Sequence, residues 1–167
     1  MKLLEATQIA NELVGKLRPL CDRVEVAGSI RRGRANVRDV DIVAIPNEEK
    51  ITAAGYFGRQ HLVGALAQPG NIKNGQAIAS FVYNGINVDI YWADHSTWGT
   101  LLLIRTGSKQ HNIKLCTLAK SRGWQLKASG EGLFDPYNRH IAGNGEEGIL
   151  SPWGCLSYPL GRGSSFT

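Results

Sequence analysis

Two aspartates, Asp39 and Asp41, lie one residue apart in the apolar run VRDVDIVAIP at residues 37–46. Because side chains alternate along a strand, both carboxylates project to one face, while Val40 and Ile42 project to the other. Like charges a few ångströms apart raise a carboxyl pKa unless a cation neutralises them. Hard divalent cations, chiefly Mg²⁺, suit such oxygen ligands. The pair therefore predicts either a divalent metal site or the solvent-facing side of a half-exposed sheet.

A third aspartate, Asp89, has similar surroundings. It lies in INVDIYW (86–92), which follows AIASFVY (77–83) across the dipeptide Asn84-Gly85. Asn-Gly between two β-rich runs is typical of a hairpin with a type I′ turn. If this strand pairs near the first, three carboxylates surround one point. Such a triad can hold two metal ions about 4 Å apart, which is the spacing used for in-line phosphoryl transfer.

The residues before the aspartate pair are suited to binding phosphate. Gly28 permits close approach of the backbone to a ligand. Ser29 offers a hydroxyl and free backbone N–H groups, and Arg31 and Arg32 supply forked donors for phosphate oxygens. Gly-Ser followed by Arg-Arg, with the aspartate pair beginning ten residues after Ser29, favours the metal and phosphate interpretation over an exposed strand.

Composition allows one domain or two small lobes, since the chain has 167 residues, of which 43% are hydrophobic. Lys and Arg outnumber Asp and Glu by 19 to 14, which favours polyanionic partners such as nucleic acid or nucleotides. Three widely spaced cysteines favour reduced thiols over a zinc site or disulfides. We see no signal peptide or membrane span, so we expect a cytoplasmic, nucleoid-associated or virion-associated protein that is not secreted.

Hydrophobic periodicity predicts the elements that position these residues. We expect helices over 4–18, 49–67, 97–105 and 109–122, strands over 23–28, 37–46, 77–83, 86–92, 124–128 and 139–142, and a last short helix beginning within 146–150. Ser108 is the expected N-cap of the 109–122 helix, and Gly123 is expected to end it. The pattern changes from strand to helix around 93–97, which predicts a lobe boundary there.

These motifs resemble the nucleotidyltransferase superfamily of the polymerase beta type, and more narrowly the family X DNA polymerases. The matching segments are GSIRRGRANVRDVDIV (28–43) to G-S-x-R-R-G…D-x-D, RTGSKQHNIKLCTLAKSRGWQL (105–126) to T-G-S-x-x-H-N-x-x-L, EGLFD (131–135) to a G-L-F turn and, more loosely, EEGILSPWGCLSYPLGRG (146–163) to the closing segment. The resemblance is to the reduced, two-lobe members that lack the N-terminal lyase and helix-hairpin-helix domains.

The resemblance implies an α+β fold. A palm lobe over 1–94 would carry a mixed or antiparallel sheet with helices on one face, and a small α/β lobe over 95–167 would bind nucleotide and template. It implies a monomeric, Mg²⁺-dependent DNA polymerase that adds dNTPs to a primer 3′-hydroxyl on gapped or primer-template DNA, filling short gaps in repair. Two Mg²⁺ ions, for which Mn²⁺ can substitute, would be bound by Asp39, Asp41 and Asp89.

The resemblance also implies the nucleotide contacts. Ser29 and Arg32 would contact the triphosphate, Gly107 would lie against the sugar, and Asn112 would contact the base. The rest of the predicted nucleotide-binding set is Gly28, Arg38 and Ser108, and the predicted DNA-binding set is Arg105, Lys109, Lys114 and Lys120. For the three lysines a solvated helix face is the alternative, although the basic balance of the chain favours phosphate contact.

Several positions differ from the family pattern. Ile104 and Arg105 replace two residues that are often aromatic and screen ribose from deoxyribose, which predicts weak rejection of ribonucleotides. Cys116 replaces an arginine that touches the template, Asn87 replaces an arginine near the third acid, and Arg38 replaces a small residue.

Two alternative functions stay open. The first is a nucleotidyltransferase with another acceptor, namely RNA, a protein or a small molecule. Relatives of that kind usually lack the T-G-S-x-x-H-N helix and the G-L-F turn. The second is a non-catalytic nucleic-acid-binding relative, against which the three acids argue because acids without metal would repel DNA.

Overall fold

The structure, a computed structural model, describes residues 1–143, so the predicted helix at 146–150 and the loosely matching closing segment lie outside it. The helices are α1 Leu3–Leu17, α2 Gly28–Arg31, α3 Glu48–Ala53, α4 Arg59–Leu66, α5 Trp98–Thr106 and α6 Lys109–Ser121. The strands are β1 Cys21–Val26, β2 Asp39–Pro46, β3 Lys73–Asn74, β4 Ile78–Tyr83, β5 Ile86–Trp92, β6 Gln125–Lys127, β7 Gly132–Phe134 and β8 His140–Ala142.

The first five strands form one mixed sheet in the order β1-β2-β5-β4-β3. β2 and β5 run parallel, and the other neighbouring pairs run antiparallel. The hairpin β4–β5 turns at Asn84 (φ 46°) and Gly85 (φ 76°), and both positive φ angles agree with the type I′ turn that Asn-Gly predicts.

The two faces of β2 are covered differently. Val40 and Ile42 are buried in a core with α1, α3 and α4, while Val43 and Ile45 on the other face pack in a second cluster with α5. Asp39 and Asp41 share that second face but lie at the amino end of the strand, and both are only half-buried. The acids are therefore held by a rigid strand whose apolar residues are anchored on both sides.

A second, three-stranded antiparallel sheet, β6-β7-β8, packs with α6. Ser108 caps α6 as predicted, since its hydroxyl accepts a hydrogen bond from the His111 backbone N–H at 3.4 Å. Gly123 follows the helix with φ 72°. The predicted α+β fold is confirmed: α1, α3 and α4 lie on one face of the palm sheet, and α5 of the small second lobe packs on its other face.

Three sequence predictions were wrong in detail. The single helix over 49–67 is two helices, α3 and α4, because Gly55 (φ 95°) and Gly58 (φ 99°) adopt left-handed backbone that ends one helix before the next begins. The strand predicted over 23–28 ends at Val26, since Gly28 already starts α2. The G-L-F segment is a strand, β7, rather than a turn.

No helix within residues 1–143 is long and apolar enough to cross a membrane.

Candidate active site

The parallel pairing of β2 with β5 brings the predicted acids together. Asp41 lies directly beside Asp89, and Asp39 lies beside Asn87. Neighbouring strands are about 4.8 Å apart, and paired residues in a parallel register point to the same face. The acid cluster, defined as Asp39, Asp41 and Asp89, therefore occupies one face of two adjacent central strands.

The pKa of one acid of the cluster, Asp41, is strongly shifted by its surroundings. Burial, and after it the negative charges of Asp39 and Asp89, raise the pKa of Asp41 to about 6. A hydrogen bond from Tyr91 and the charge of Arg105 oppose the rise. Protonation or a bound cation would each relieve the repulsion.

The donor chemistry of the acid cluster fits a hard divalent cation, because carboxylate oxygens are the ligands that Mg²⁺ prefers. As the side chains stand, no group of three or more His, Cys, Asp or Glu residues in the described part of the chain could hold a metal ion. The register sets the carboxylates on neighbouring backbone positions, so their side chains would have to turn towards one another to share an ion.

Gly28 makes room for one of these acids. It has φ 61°, and a Cβ at this position would lie 2.0 Å from Asp41 Oδ2. The sequence analysis assigned this glycine to close approach of a ligand. The structure shows instead that the Asp41 carboxylate occupies the space that a side chain at position 28 would need.

Two hydrogen-bond donors that sequence reasoning missed contact the acid cluster. Ser80 on β4 lies opposite Asp89 and its hydroxyl donates to Asp89 Oδ1. The Tyr91 hydroxyl donates to Asp41 Oδ1 at 3.4 Å. Ser80 could have been found from the sequence, because a two-residue turn at Asn84-Gly85 pairs position 80 with position 89.

A cavity of about 510 Å³, called here the acid cavity, opens beside the cluster. Its lining includes most of the predicted phosphate and metal residues, namely Gly28, Ser29, Arg32, Arg38, Asp39 and Asp41. Ser29 Oγ is buried and has no hydrogen-bond partner among residues 1–143. An unsatisfied buried hydroxyl on a cavity wall is available to a ligand oxygen.

A second cavity of about 700 Å³, called here the helix groove, lies along α5 and α6. Predicted nucleotide and DNA residues line it, namely Arg32, Arg105, Gly107, Lys109, Asn112 and Lys120. Asn112 Nδ2 donates to the Ile104 carbonyl at 2.8 Å, while its buried Oδ1 has no partner within the described residues. Lys114 is exposed and does not line either cavity, and Ser108 serves as the helix cap.

Two arginines line both cavities. Arg32 donates to the Thr106 carbonyl, and Arg105 lies over the Tyr91 ring with its guanidinium carbon 4.3 Å from the ring centroid. Ile104 also lines the helix groove, but it is mostly buried in the core of the second lobe. Of the two positions that are expected to be aromatic, one is therefore an aliphatic core residue and the other, Arg105, is a cation stacked on Tyr91 of β5.

Comparisons with known proteins show what this chain is similar to. Residues 101–152 match the family model of the DNA polymerase beta thumb. Over 104 residues, 62% of this chain, the sequence is 32% identical to the DNA polymerase/3′-5′ exonuclease PolX of Bacillus subtilis (strain 168), of which the match covers 18%. The fold is similar to that in the crystal structure of Leishmania infantum polymerase beta in a ternary P/T complex. That likeness has a TM-score of 0.68 and 17% sequence identity, covering 99% of this chain and 77% of that chain.

The fold and the face that carries the acids define a protein with the polymerase beta fold. The matching segments are similar to the polymerase beta thumb and to part of the PolX relative. The matched segment spans less than a fifth of the length of the PolX relative.

Proposed function

We propose that this chain is a template-directed DNA polymerase that adds dNTPs to a primer 3′-hydroxyl and fills short gaps. The observation that carries the proposal is the register of Asp41 beside Asp89, with Asp39 on the same face, next to a cavity suited to phosphate. The names of the relatives support DNA and dNTP as partners, since one is a DNA polymerase and the other was solved as a ternary P/T complex.

In this proposal Asp39, Asp41 and Asp89 hold two Mg²⁺ ions, or Mn²⁺ in their place. When bound, the ions supply the positive charge that activates the primer hydroxyl and neutralises the leaving phosphate. The chain's own contribution is positioning. Ser80 fixes the Asp89 carboxylate, Gly28 leaves space for Asp41, and the anchored strand keeps both at a fixed separation.

The remaining residues would bind substrates. Ser29 and Arg32 donate to triphosphate oxygens, and Arg32 spans the two cavities, so it joins the phosphate end to the base end of the nucleotide. Gly107 would lie against the sugar and Asn112 Oδ1 would accept from the base. Much of this catalysis would be electrostatic stabilisation and orientation, as expected for phosphoryl transfer.

The experiment is primer extension on a gapped duplex, with nicked DNA, single-stranded DNA and single-stranded RNA compared. We expect extension on the gapped duplex with Mg²⁺, lost in Asp89→Asn and Asp89→Ala while dNTP binding is largely kept. Glu49→Gln, an exposed acid on α3, is the control and should extend normally. Normal extension by Asp89→Ala would contradict the proposal.

The same assay separates the alternatives. Incorporation on RNA but not on gapped DNA would indicate another acceptor, and DNA binding without Mg²⁺ or incorporation would indicate a non-catalytic relative. Comparing dNTP with rNTP tests the prediction from Ile104 and Arg105, for which similar kcat/KM values are expected. A strong preference for dNTP would assign sugar selection to the backbone near Gly107.

A further inference from the structure

Two arginines on the wall of the acid cavity have no role in the contacts described so far. Arg34 and Arg38 are exposed and line the cavity together with Asn36. Neither guanidinium has a hydrogen bond or an ion pair with any other residue between 1 and 143. Other arginines are engaged, such as Arg59 with Glu48 at 2.9 Å and Arg139 with Asp135 at 2.6 Å.

The segment that carries these arginines is held in place. The N-terminal amine of Met1 donates to the Val37 carbonyl at 3.0 Å, and the Val37 N–H donates to the Met1 carbonyl at 2.9 Å. The Leu3 N–H donates to the Ala35 carbonyl at 3.2 Å, and Val37 is buried. The segment that lines the cavity, Arg34–Asn36 and Arg38, is therefore tied through its backbone to the first residues of the chain.

The acid cavity is lined by more positively charged than negatively charged side chains. Four guanidinium groups line it, those of Arg32, Arg34, Arg38 and Arg105, against the two carboxylates of Asp39 and Asp41. Two buried polar atoms of lining residues, Ser29 Oγ and Arg105 Nε, have no hydrogen-bond partner within the described chain. An anion with several oxygens would satisfy these groups, because each guanidinium can bind two phosphate oxygens.

The four arginines come from three parts of the chain. Arg32 follows α2 next to Ser29, Arg34 and Arg38 lie on the segment after it, and Arg105 lies on α5. The Arg34 N–H donates to the Ser29 carbonyl at 3.0 Å, which fixes the two walls relative to each other. One phosphate held by Ser29 and Arg32 would leave Arg34 and Arg38 for a neighbouring phosphate.

We propose that Arg34 and Arg38, with the Asn36 amide between them, form a second phosphate subsite in the acid cavity. The cavity would then bind a linear polyphosphate chain without any divalent metal. The ligand class is the phosphate tail of a nucleotide, and in this respect the proposal rests on the proposed function. The nucleotide tail can enter the cavity before the acid cluster is loaded with metal.

The test is calorimetric titration of the full chain in EDTA with inorganic tripolyphosphate and with orthophosphate. The double variant Arg34→Gln/Arg38→Gln should bind tripolyphosphate at least about tenfold more weakly, the loss of one or two charge-assisted hydrogen bonds. Its orthophosphate affinity should change by less than about threefold, since a single phosphate still has Ser29 and Arg32.

A matched control separates the subsite from net charge. Arg18→Gln/Lys73→Gln removes two exposed positive charges that do not line the acid cavity, and its tripolyphosphate affinity should stay within about twofold. An equal loss in the control, or an unchanged affinity in the Arg34/Arg38 variant, would overturn the proposal. The Arg34/Arg38 variant could also bind 5′-phosphorylated gapped DNA more weakly while its tripolyphosphate affinity is unchanged. That result would overturn the proposal too, because the ligand of these arginines would then be a DNA phosphate.

Primer extension by the same proteins distinguishes the two proposals. If the parent extends primers and tripolyphosphate binding does not depend on Arg34 and Arg38, the subsite is wrong and the polymerase function stands. If tripolyphosphate binding depends on these arginines but no primer is extended on any DNA, the polymerase function is wrong and the subsite stands.

Discussion

At the scale of single residues, the acid cluster depends on a residue with no side chain. Gly28 combines a left-handed backbone with a position where a Cβ would overlap the Asp41 carboxylate. Gly33, also left-handed at φ 70°, has nothing within 4 Å of its own Cβ position. The two glycines therefore separate the effect of steric overlap from the effect of backbone strain.

We predict that Gly28→Ala lowers the rate of primer extension by about 100-fold, because it displaces a carboxylate by more than catalysis tolerates. Gly33→Ala should cost a similar strain of about 1–2 kcal/mol in the free energy of unfolding while retaining most of the activity. Single-turnover extension and urea unfolding measure the two quantities. Equal losses of activity in both variants would show that strain, and not the overlap with Asp41, is responsible.

The raised pKa of Asp41 leads to a prediction about how the stability of the protein depends on pH. Its pKa in the folded protein is about 6, above the ordinary aspartate value of 3.8. Between those values the folded protein binds more protons than the unfolded one, so the free energy of unfolding falls as pH rises. In EDTA, Asp41→Asn should therefore be more stable than the parent by about 1–2 kcal/mol near neutral pH, after allowance for solvent screening, with the difference vanishing towards about pH 4. Urea denaturation across that range measures it, and a difference independent of pH would contradict the assignment.

At the scale of elements, the hairpin of β4 and β5 could be predicted from the sequence, whereas the parallel pairing of β2 with β5 could not. The turn Asn84-Gly85 fixes the register of β4 on β5, so the Ser80 contact to Asp89 follows from local sequence. The pairing of β2 with β5 joins residues about fifty positions apart, and nothing local selects it. The break between α3 and α4 was missed because apolar periodicity continues across Gly55 and Gly58, although both adopt left-handed backbone.

The hairpin register yields a prediction for Ser80 as a positioning residue. Ser80→Ala removes the hydroxyl that donates to Asp89, so kcat should fall about tenfold, the typical worth of a hydrogen bond to a charged group. Ser80→Thr keeps the donor and should restore most of the activity. The KM for dNTP should stay nearly constant in both variants. If Ser80 contributed only to stability, Ser80→Ala would lower the Tm but leave kcat unchanged at a temperature well below it.

At the scale of the whole molecule, α5 joins the two lobes. Val43 and Ile45 of the first sheet pack with Trp98 and Leu101 of this helix, and Trp98 is 1% exposed. Arg32 crosses from α2 to the Thr106 carbonyl, and Arg105 crosses back to Tyr91. The helix groove and the acid cavity therefore share walls that neither lobe supplies alone, and the relative position of the lobes sets the shape of both.

This shared helix predicts that the lobes unfold together. Cys21 is buried in the first lobe, where burial raises its pKa to about 12, and Cys116 is half-buried in the second, so each reports on one lobe. In a Cys155→Ser background, pulsed thiol labelling along a urea gradient should give the same midpoint for both cysteines.

Trp98→Ala should lower the stability by about 3–5 kcal/mol, and it should separate the two midpoints because the apolar contact across the lobes is lost. Leu133→Ala, a core change confined to the second lobe, is the matched control. Separate midpoints already in the parent would show that the two lobes fold independently and that α5 does not couple them.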